Sequence, residues 1–458
     1  AVIDPALLEL VTALVEKPHA VLGNFDPAFL KVPQEALISS MRDHQKYFHV
    51  VDGKGALLPA FITVSNIRSR TPARVRTGNE RVLNARLADA KFFWETDAIQ
   101  PLSARTKALE NVLFNHALSS LAGKTRRIEK LSAKIAQAVG APAAACVRAA
   151  SLCKADLVSG MVGEFPDLQG IMGRYLARHD GEPAAVARAI EEHYLPRYAG
   201  GALPQSPAGQ VLALADRLDS LVGLFIAGEE PTGEKDPYGL RRAALGVIRI
   251  LVEKKLDLNV AALGEGAADG YASDGLVSGE SAKSQCATFI LERYRALYTT
   301  LGFAQDEISA VLEAGASRPL DFDRRLKAVS RFRHHRDAPS LAAANKRIRN
   351  ILRKSEESIP AQIDAQQLTE SAEIALSQAI LKTAGAIAPA IAKGDYAAAL
   401  RTLAGLRPVV DGFFDEVMVM SPDRAVRTNR LALLGQLNQL FLGIADISLL
   451  QTLETGDG

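Results

Sequence analysis

At 458 residues, with 48% hydrophobic and 23% charged side chains, the chain has material for about three domains of roughly 150 residues each and the composition of a globular protein rather than a disordered or collagenous one. No stretch approaches the ~18 uninterrupted apolar residues of a membrane helix, Ala1-Val2-Ile3-Asp4-Pro5 lacks the basic and apolar regions of a secretory signal, and three cysteines without CxxC spacing argue against a disulfide framework or zinc site and fit a reducing cytoplasm. The net charge of +2 hides an asymmetry: residues 318–354 hold twelve Lys/Arg against Asp321, Asp323 and Asp337, a concentration that points to a polyanionic partner.

In chain order, residues 20–66 read as α+β. A short helix is predicted over 34–43. Strands are predicted over 47–52 and 57–65, around Asp52-Gly53-Lys54-Gly55, a hairpin turn in which glycine supplies positive φ. Residues 66–77 carry Arg68, Arg70, Arg74 and Arg76 with no acid and read as a solvated basic loop. Val82, Leu83, Leu87, Ala90, Phe93 and Trp94 then recur at helical spacing, with Arg81 and Arg86 among them. The remainder is mostly helical. Residues 102–139 read as two helices broken near Ala122-Gly123, followed by helices over 142–163, 184–195 and 210–227. Asp236-Pro237 predicts a helix start, because Asp caps free amides and Pro suits the first turn. Gly264, Gly266, Gly270, Gly275 and Gly279 with few large apolar neighbours predict a linker over 264–284. A helical pair over 285–315 leads to the basic segment. The C-terminal region, 361–450, is helical, with Ser421-Pro422 starting a helix that carries Leu431, Leu434, Leu437, Phe441 and Ile444.

The basic segment carries the clearest functional signal. Leu341, Ile348, Ile351 and Leu352 keep helical spacing, so Arg331, Arg333, Lys346, Arg347, Arg349 and Arg353 are expected on an outer face, where they would neutralise phosphates and release counterions. Phe332, His334 and His335 are candidates for stacking on unpaired bases. The competing reading is a helix held by internal partners, since thirteen acids against seven bases follow from Ser355 onward.

Other motifs carry less. Gly228 and Gly233 have phosphate-loop spacing, but Glu234 follows where a Gly-Lys pair is needed. Arg241 and Arg242 remain candidates for phosphate contact, because guanidinium forks match phosphate oxygens. His179-Asp180 resembles the metal-binding dipeptide of HD-type phosphohydrolases, yet it precedes a glycine and reads as a turn. Ala215-Asp216-Arg217-Leu218 resembles the distal ligand segment of that superfamily, with Lys154 standing where its proximal ligand belongs. This implies an HD-like fold without its metal, in which Lys154 fills the charge vacancy beside Asp156 or Asp216. His193 reads as structural.

Several blocks resemble one family. They include His44-Gln45-Lys46-Tyr47-Phe48, Val64-Ser65-Asn66-Ile67, the run 78–94, Glu164-Phe165-Pro166-Asp167-Leu168-Gln169-Gly170, Pro231-Thr232-Gly233-Glu234-Lys235-Asp236-Pro237-Tyr238-Gly239, Ala344-Asn345-Lys346-Arg347-Ile348 and Phe413-Phe414-Asp415-Glu416-Val417. In this order they resemble the β subunit of bacterial tetrameric glycyl-tRNA synthetase, over roughly residues 19–450. Members have a substantial part N-terminal to this region, and residue 1 here is Ala, so the resemblance implies a subunit lacking its N-terminal part.

It also implies a mainly α, multidomain fold. The parts expected are an α+β portion with a hairpin (1–100), an HD-like helical domain with a degenerate metal site (101–262), a linker and helical connector (263–330) and a helical anticodon-binding-type domain (331–458). The implied function is binding tRNA(Gly) and positioning it for ATP-dependent glycylation by a separate α subunit, in a cytoplasmic heterotetramer of two α and two β subunits. No membrane partner, no catalytic side chain and no metal ligand are expected in this chain, and no cofactor bound by it, although the whole enzyme uses ATP and Mg. The C-terminal part resembles the anticodon-binding domain of arginyl-tRNA synthetases, and carry-over adds Arg424, Arg427, Asn429 and Arg430 as tRNA contacts. Arg81 and Arg86 complete the set. The alternatives are a metal-dependent HD-type phosphohydrolase and a helical RNA-binding scaffold without tRNA choice.

Overall fold

A computed structural model describes residues 1–276, 280–355 and 357–451. The chain is mainly helical and forms two compact units. The first takes residues 1–230 and the stretch beginning at Gly266; the second takes 231–265 and the chain from Glu280 onward.

The first unit opens with an α+β layer. Strands β1 (His19–Asn24), β2 (Phe48–Val51) and β3 (Leu57–Ser65) form an antiparallel sheet in the order β1-β3-β2. The β2–β3 hairpin turns where the sequence predicts, with the Gly55 amide donating to Asp52 O and Gly55 at φ +83°. Strand β1 is an addition to the predicted set. Its Gly23 lies against the Phe61 ring, where a Cβ would collide. Helix α1 (Pro5–Leu14) covers one sheet face through Leu7 and Val11, against Phe48, Ile62 and Val64. The other face joins a core of Phe25, Tyr47, Leu57 and Phe61. Leu37 of helix α2 (Gln34–Ser39) and Leu83, Leu87 and Ala90 of helix α3 (Pro72–Asp97) complete it.

Helix α3 is longer than the sequence reading. The supposed basic loop is helical from Pro72, because proline suits a first turn and no glycine interrupts before Gly78. Beyond it, the break expected at Ala122-Gly123 lies earlier. Strands Leu113–Asn115 and Ser119–Ser120 make a small hairpin, and α4 (Leu121–Val139) starts at once, its first turn capped by the Ser120 hydroxyl accepting from the Gly123 amide. Helices α5 (Ala143–Leu152), α6 (Ile171–His179), α7 (Ala184–Glu192) and α8 (Pro207–Ile226) complete a bundle in which α4 packs on α5 and α8.

Helix α9 (Leu240–Glu253) belongs to the second unit and begins later than Asp236-Pro237 suggests. Gly239 takes a left-handed conformation (φ +66°) as N-cap. Asp236 still caps from a distance, accepting from the Leu240 amide at 2.8 Å and the Arg241 amide at 3.0 Å. The glycine-rich stretch read as a linker is helical over α10 (Val260–Ser273). Gly270 serves close packing there: its Cβ position falls 3.2 Å from Arg127, while one at Gly266 would meet Leu131 at an ordinary 3.4 Å. Residues 277–279 of that predicted linker lie outside the described residues. The same logic places Gly223 of α8 beneath the Tyr271 phenol, where a Cβ would collide with the hydroxyl and its ring carbon. Gly223→Ala is expected to destabilise the first unit by about 1–3 kcal/mol through overpacking, read as a lower midpoint in denaturant titration; an unchanged midpoint contradicts this packing.

The rest of the second unit is helical. The helices are α11 (Glu280–Thr300), α12 (Gln305–Glu313), α13 (Pro319–Arg333), α14 (Ala338–Lys354), α15 (Ser371–Ala392), α16 (Tyr396–Ala404), α17 (Arg407–Glu416) and α18 (Arg424–Leu442). Tyr294 and Tyr298 of α11 pack on Phe322 of α13, with ring centroids 4.3 and 5.2 Å away. Helix α18 starts two residues after Pro422, capped by the Asp423 carboxylate accepting from the Ala425 and Val426 amides. By length and composition α15 is apolar enough to cross a membrane; its Glu373 is ion-paired with Arg430 of α18.

Candidate nucleic-acid interface

The basic segment folds as two helices, α13 and α14, joined through His334–Asp337. Leu326, Val329 and Phe332 of α13 and Leu341 and Ile348 of α14 are buried, which turns the intervening bases outward. Phe332 is only 4% exposed and stacks on His335 at 6.1 Å. It is therefore a core side chain, and the expected base-stacking role of this pair is corrected; His334 alone is exposed.

The six bases of the segment divide. Arg331, Lys346, Arg347 and Arg353 are exposed. Arg347 lies 4.2 Å from the Phe414 ring centroid, and Arg353 Nη2 donates to Asn350 Oδ1 at 3.4 Å, so both are oriented without being neutralised. Arg333 is half-buried and paired with Asp306 at 3.0 Å and Glu307 at 3.5 Å. Arg349 pairs with the buried carboxylate of Asp446. These two are structural cations, and their assignment to RNA contact is corrected on that ground: leaving would strand a buried carboxylate. Lys346, Arg349 and Arg353 line a cavity of about 670 Å³ together with Asn350, Asn438 and Ser448. The sequence reading missed the last three, since nothing local marks an Asn or Ser as lining a cavity.

Helix α18 behaves similarly. Arg424 is 82% exposed, with Glu357 3.7 Å away. Arg427 is held by Glu357 and by the carbonyl of Ser421, each at 2.6 Å. Asn429 is buried and latched to Asp364, its Oδ1 accepting from that amide at 2.8 Å and its Nδ2 donating to that carbonyl at 2.9 Å. Arg430 is 5% exposed. It pairs with Glu373 and, at 2.7 Å, with Glu370, and donates to Met418 O. Of the four carried-over residues only Arg424 presents a free face; the other three hold the unit together.

Arg241 Nη2 donates to Gly233 O at 2.7 Å and so closes the loop before α9, while Arg242 is exposed. In the first unit Arg81 and Arg86 are exposed on α3 and form no ion pair with a described residue.

The first unit also holds a buried polar cluster. Lys154 Nζ lies 2.9 Å from Asp216 Oδ2 and 2.9 Å from His193 Nε2, so Asp216 rather than Asp156 is its counterion. Lys124 adds a second ammonium 3.2 Å from Asp216 Oδ1. Burial would raise the Asp216 carboxyl, but Lys154 and Lys124 outweigh it and hold its pKa well below the ordinary range. Burial and the neighbouring Lys154 push His193 well below its ordinary value, so its imidazole is neutral and accepts from the ammonium. Asp156 accepts instead from the amides of Gly170 and Gly173. The Lys154 ammonium sits between Asp216 and His193, two residue types that can ligate a metal ion. Among the described residues no group of three or more His, Cys, Asp or Glu is arranged to hold one. His179 is the last residue of α6 and Asp180 its C-cap, accepting from the Leu102 amide at 2.6 Å, so the dipeptide closes a helix and only Asp180 lies in the predicted turn.

Residues 1–313 match the family model described as glycyl-tRNA synthetase beta subunit. The chain belongs to this family. Residues 341–452 match the DALR anticodon binding domain, the part that contains α14 and α18. Among relatives named glycine–tRNA ligase beta subunit, that of Aeromonas hydrophila is 49% identical over 449 residues, covering 98% of this chain and 65% of the relative. That of Chromohalobacter salexigens is 50% identical over 451 residues, with the same coverages. That of Pseudomonas aeruginosa is 48% identical over 450 residues, covering 98% of this chain and 66% of the relative. The chain thus spans about 65% of the length of the curated beta subunits it matches.

Proposed function

We propose that this chain is the tRNA-binding part of a glycine–tRNA ligase β subunit and positions tRNA(Gly) for ATP-dependent glycylation by an α subunit. The observation that supports this best is the anticodon-binding-domain match falling on α14, whose Lys346, Arg347 and Arg353 stay exposed beside a cavity of about 670 Å³. Phosphate contacts of this kind fix the register of an RNA without reading its sequence. Arg331, Arg242, Arg81, Arg86 and Arg424 are the further exposed members of the proposed contact set.

In this reading the chain contributes proximity. Holding the acceptor end in the partner's site converts a bimolecular encounter into an effectively unimolecular one. The second unit takes the anticodon arm and the helical bundle of the first unit, α4 to α8, the acceptor arm. ATP and Mg are used in the α subunit. The working assembly is a cytoplasmic heterotetramer of two α and two β subunits.

The test is a gel shift with tRNA(Gly). Arg347→Ala with Arg353→Ala is expected to weaken binding about tenfold at low salt and to lower the salt slope by roughly two. Both side chains lie on the surface, so folding should be unaffected. Unchanged affinity and slope would remove α14 as the contact surface.

A further inference from the structure

The first unit carries a second basic surface. Arg68, Arg70, Arg74, Arg76 and Arg81 are all exposed, and their side chains form no hydrogen bond or ion pair with a described residue. No acid occurs between Asn66 and Asn79. The first acid beyond, Glu80, accepts from the Asn24 amide at 2.9 Å. The surface is also built. Asn66 anchors the start of the loop by accepting from the Glu16 and Lys17 amides, and Ser69 Oγ accepts from the Thr71 amide. Asn79 anchors the helix, bridging the Tyr47 hydroxyl and Val75 O. Arg74 and Arg81, seven residues apart, share a helix face about 10 Å apart along the axis and opposite the buried Leu83 and Ala90.

Side chains that add like charge without pairing cost local stability, and nothing within the first unit repays it, so a polyanion is the complementary partner. Its class follows from what is missing beside the arginines. The first exposed aromatic on this helix face is Phe92, eleven residues and about 16 Å along the axis beyond Arg81, so no stacking platform for unpaired bases lies among the arginines themselves. Phosphates remain as the recognised groups. We propose that these five arginines form a second RNA-contact surface that takes the sugar–phosphate backbone of double-stranded RNA. The proposal deepens the tRNA-binding reading and rests on it; it shares Arg81 with the contact set named above and adds Arg68, Arg70, Arg74 and Arg76.

The test uses the full chain and two labelled probes: an RNA hairpin with a stem of roughly 16 base pairs, and an unpaired oligouridine of the same nucleotide count. Fluorescence anisotropy is read between about 50 and 200 mM salt. Arg68→Ala, Arg74→Ala, Arg76→Ala and Arg81→Ala are combined in one variant, which should keep the wild-type melting temperature because these side chains bond to nothing described. Its hairpin affinity at low salt is expected to fall at least about tenfold and the salt slope by roughly three, with a much smaller loss for oligouridine. A hairpin affinity within about twofold of wild type, or an equal loss for both probes, overturns the inference. The Arg347/Arg353 variant separates the two readings. If it loses tRNA(Gly) while the four-arginine variant keeps the hairpin, the inference alone fails. If neither variant loses RNA, both readings fail.

Discussion

Replacing Arg430 by alanine is expected to destabilise the second unit by about 3–5 kcal/mol, the range for breaking one partner out of a buried ion pair. The guanidinium meets Glu373 through Nε and Glu370 through Nη2, and its Nη1 satisfies the Met418 carbonyl. Glu373 is fully buried and is itself a capping residue, accepting from the Thr369 and Glu370 amides at 2.8 and 3.0 Å. Burial would raise its carboxyl, yet the Glu370 amide, the Arg430 guanidinium and the Thr369 amide outweigh it and hold the pKa below the ordinary 4.5. Alanine would leave that carboxylate with amides alone. Arg430→Lys restores the charge but not the fork and should recover part of the loss. Denaturant titration followed by circular dichroism reads the change, as an early transition separated from that of the first unit. If Arg430 instead grips RNA, the variant keeps wild-type stability and loses only tRNA binding.

That contrast shows where reading the sequence stops. The apolar periodicity of α3, α14 and α18 is local and survives folding almost unchanged, and so does the turn at Asp52–Gly55. Element starts were less legible. At α9, Asp236 and Gly239 offer competing caps three residues apart, and only tertiary packing chooses. The glycines of α10 look like a linker until α4 is placed against them. Charge was legible as a total and illegible in its partners. Arg349 and Arg353 sit one helical turn apart in one basic run, yet Asp446 claims the first and leaves the second in solvent. Arg430 and Glu373 are separated by 57 residues, beyond any window in which charge pattern informs. The basic run over 66–77 was legible as a charge excess, but its helical geometry was not.

Stability of the first unit is expected to fall on acidification from about pH 6.5, with His193 as the first cause. The buried imidazole has its pKa well below the ordinary 6.5, so below that pH the unfolded chain binds a proton that the folded chain refuses. Unfolding is then favoured by roughly 1.4 kcal/mol per pH unit, until the pH reaches the folded-state value. Asp216 acts later. Its carboxyl is also depressed, from an ordinary 3.8, so its pairing with Lys154 and Lys124 contributes fully above that pH and is lost as pH falls toward its folded value. His193→Gln should flatten the upper window, because the amide still accepts from the Lys154 ammonium without taking a proton. Asp216→Ala should instead lower stability across the whole range by about 3–5 kcal/mol, since Lys154, 5% exposed, loses its only carboxylate among the described residues while Lys124 keeps Asp219 at 3.0 Å. Trp94, the single tryptophan, packs edge-on against Tyr175 and His179 of the first unit and supplies a fluorescence signal specific to it. A wild-type unfolding midpoint that stays level between about pH 6.5 and 4.5 would mean that His193 takes up its proton in the folded state, and that the ammonium beside it is not where the cluster places it.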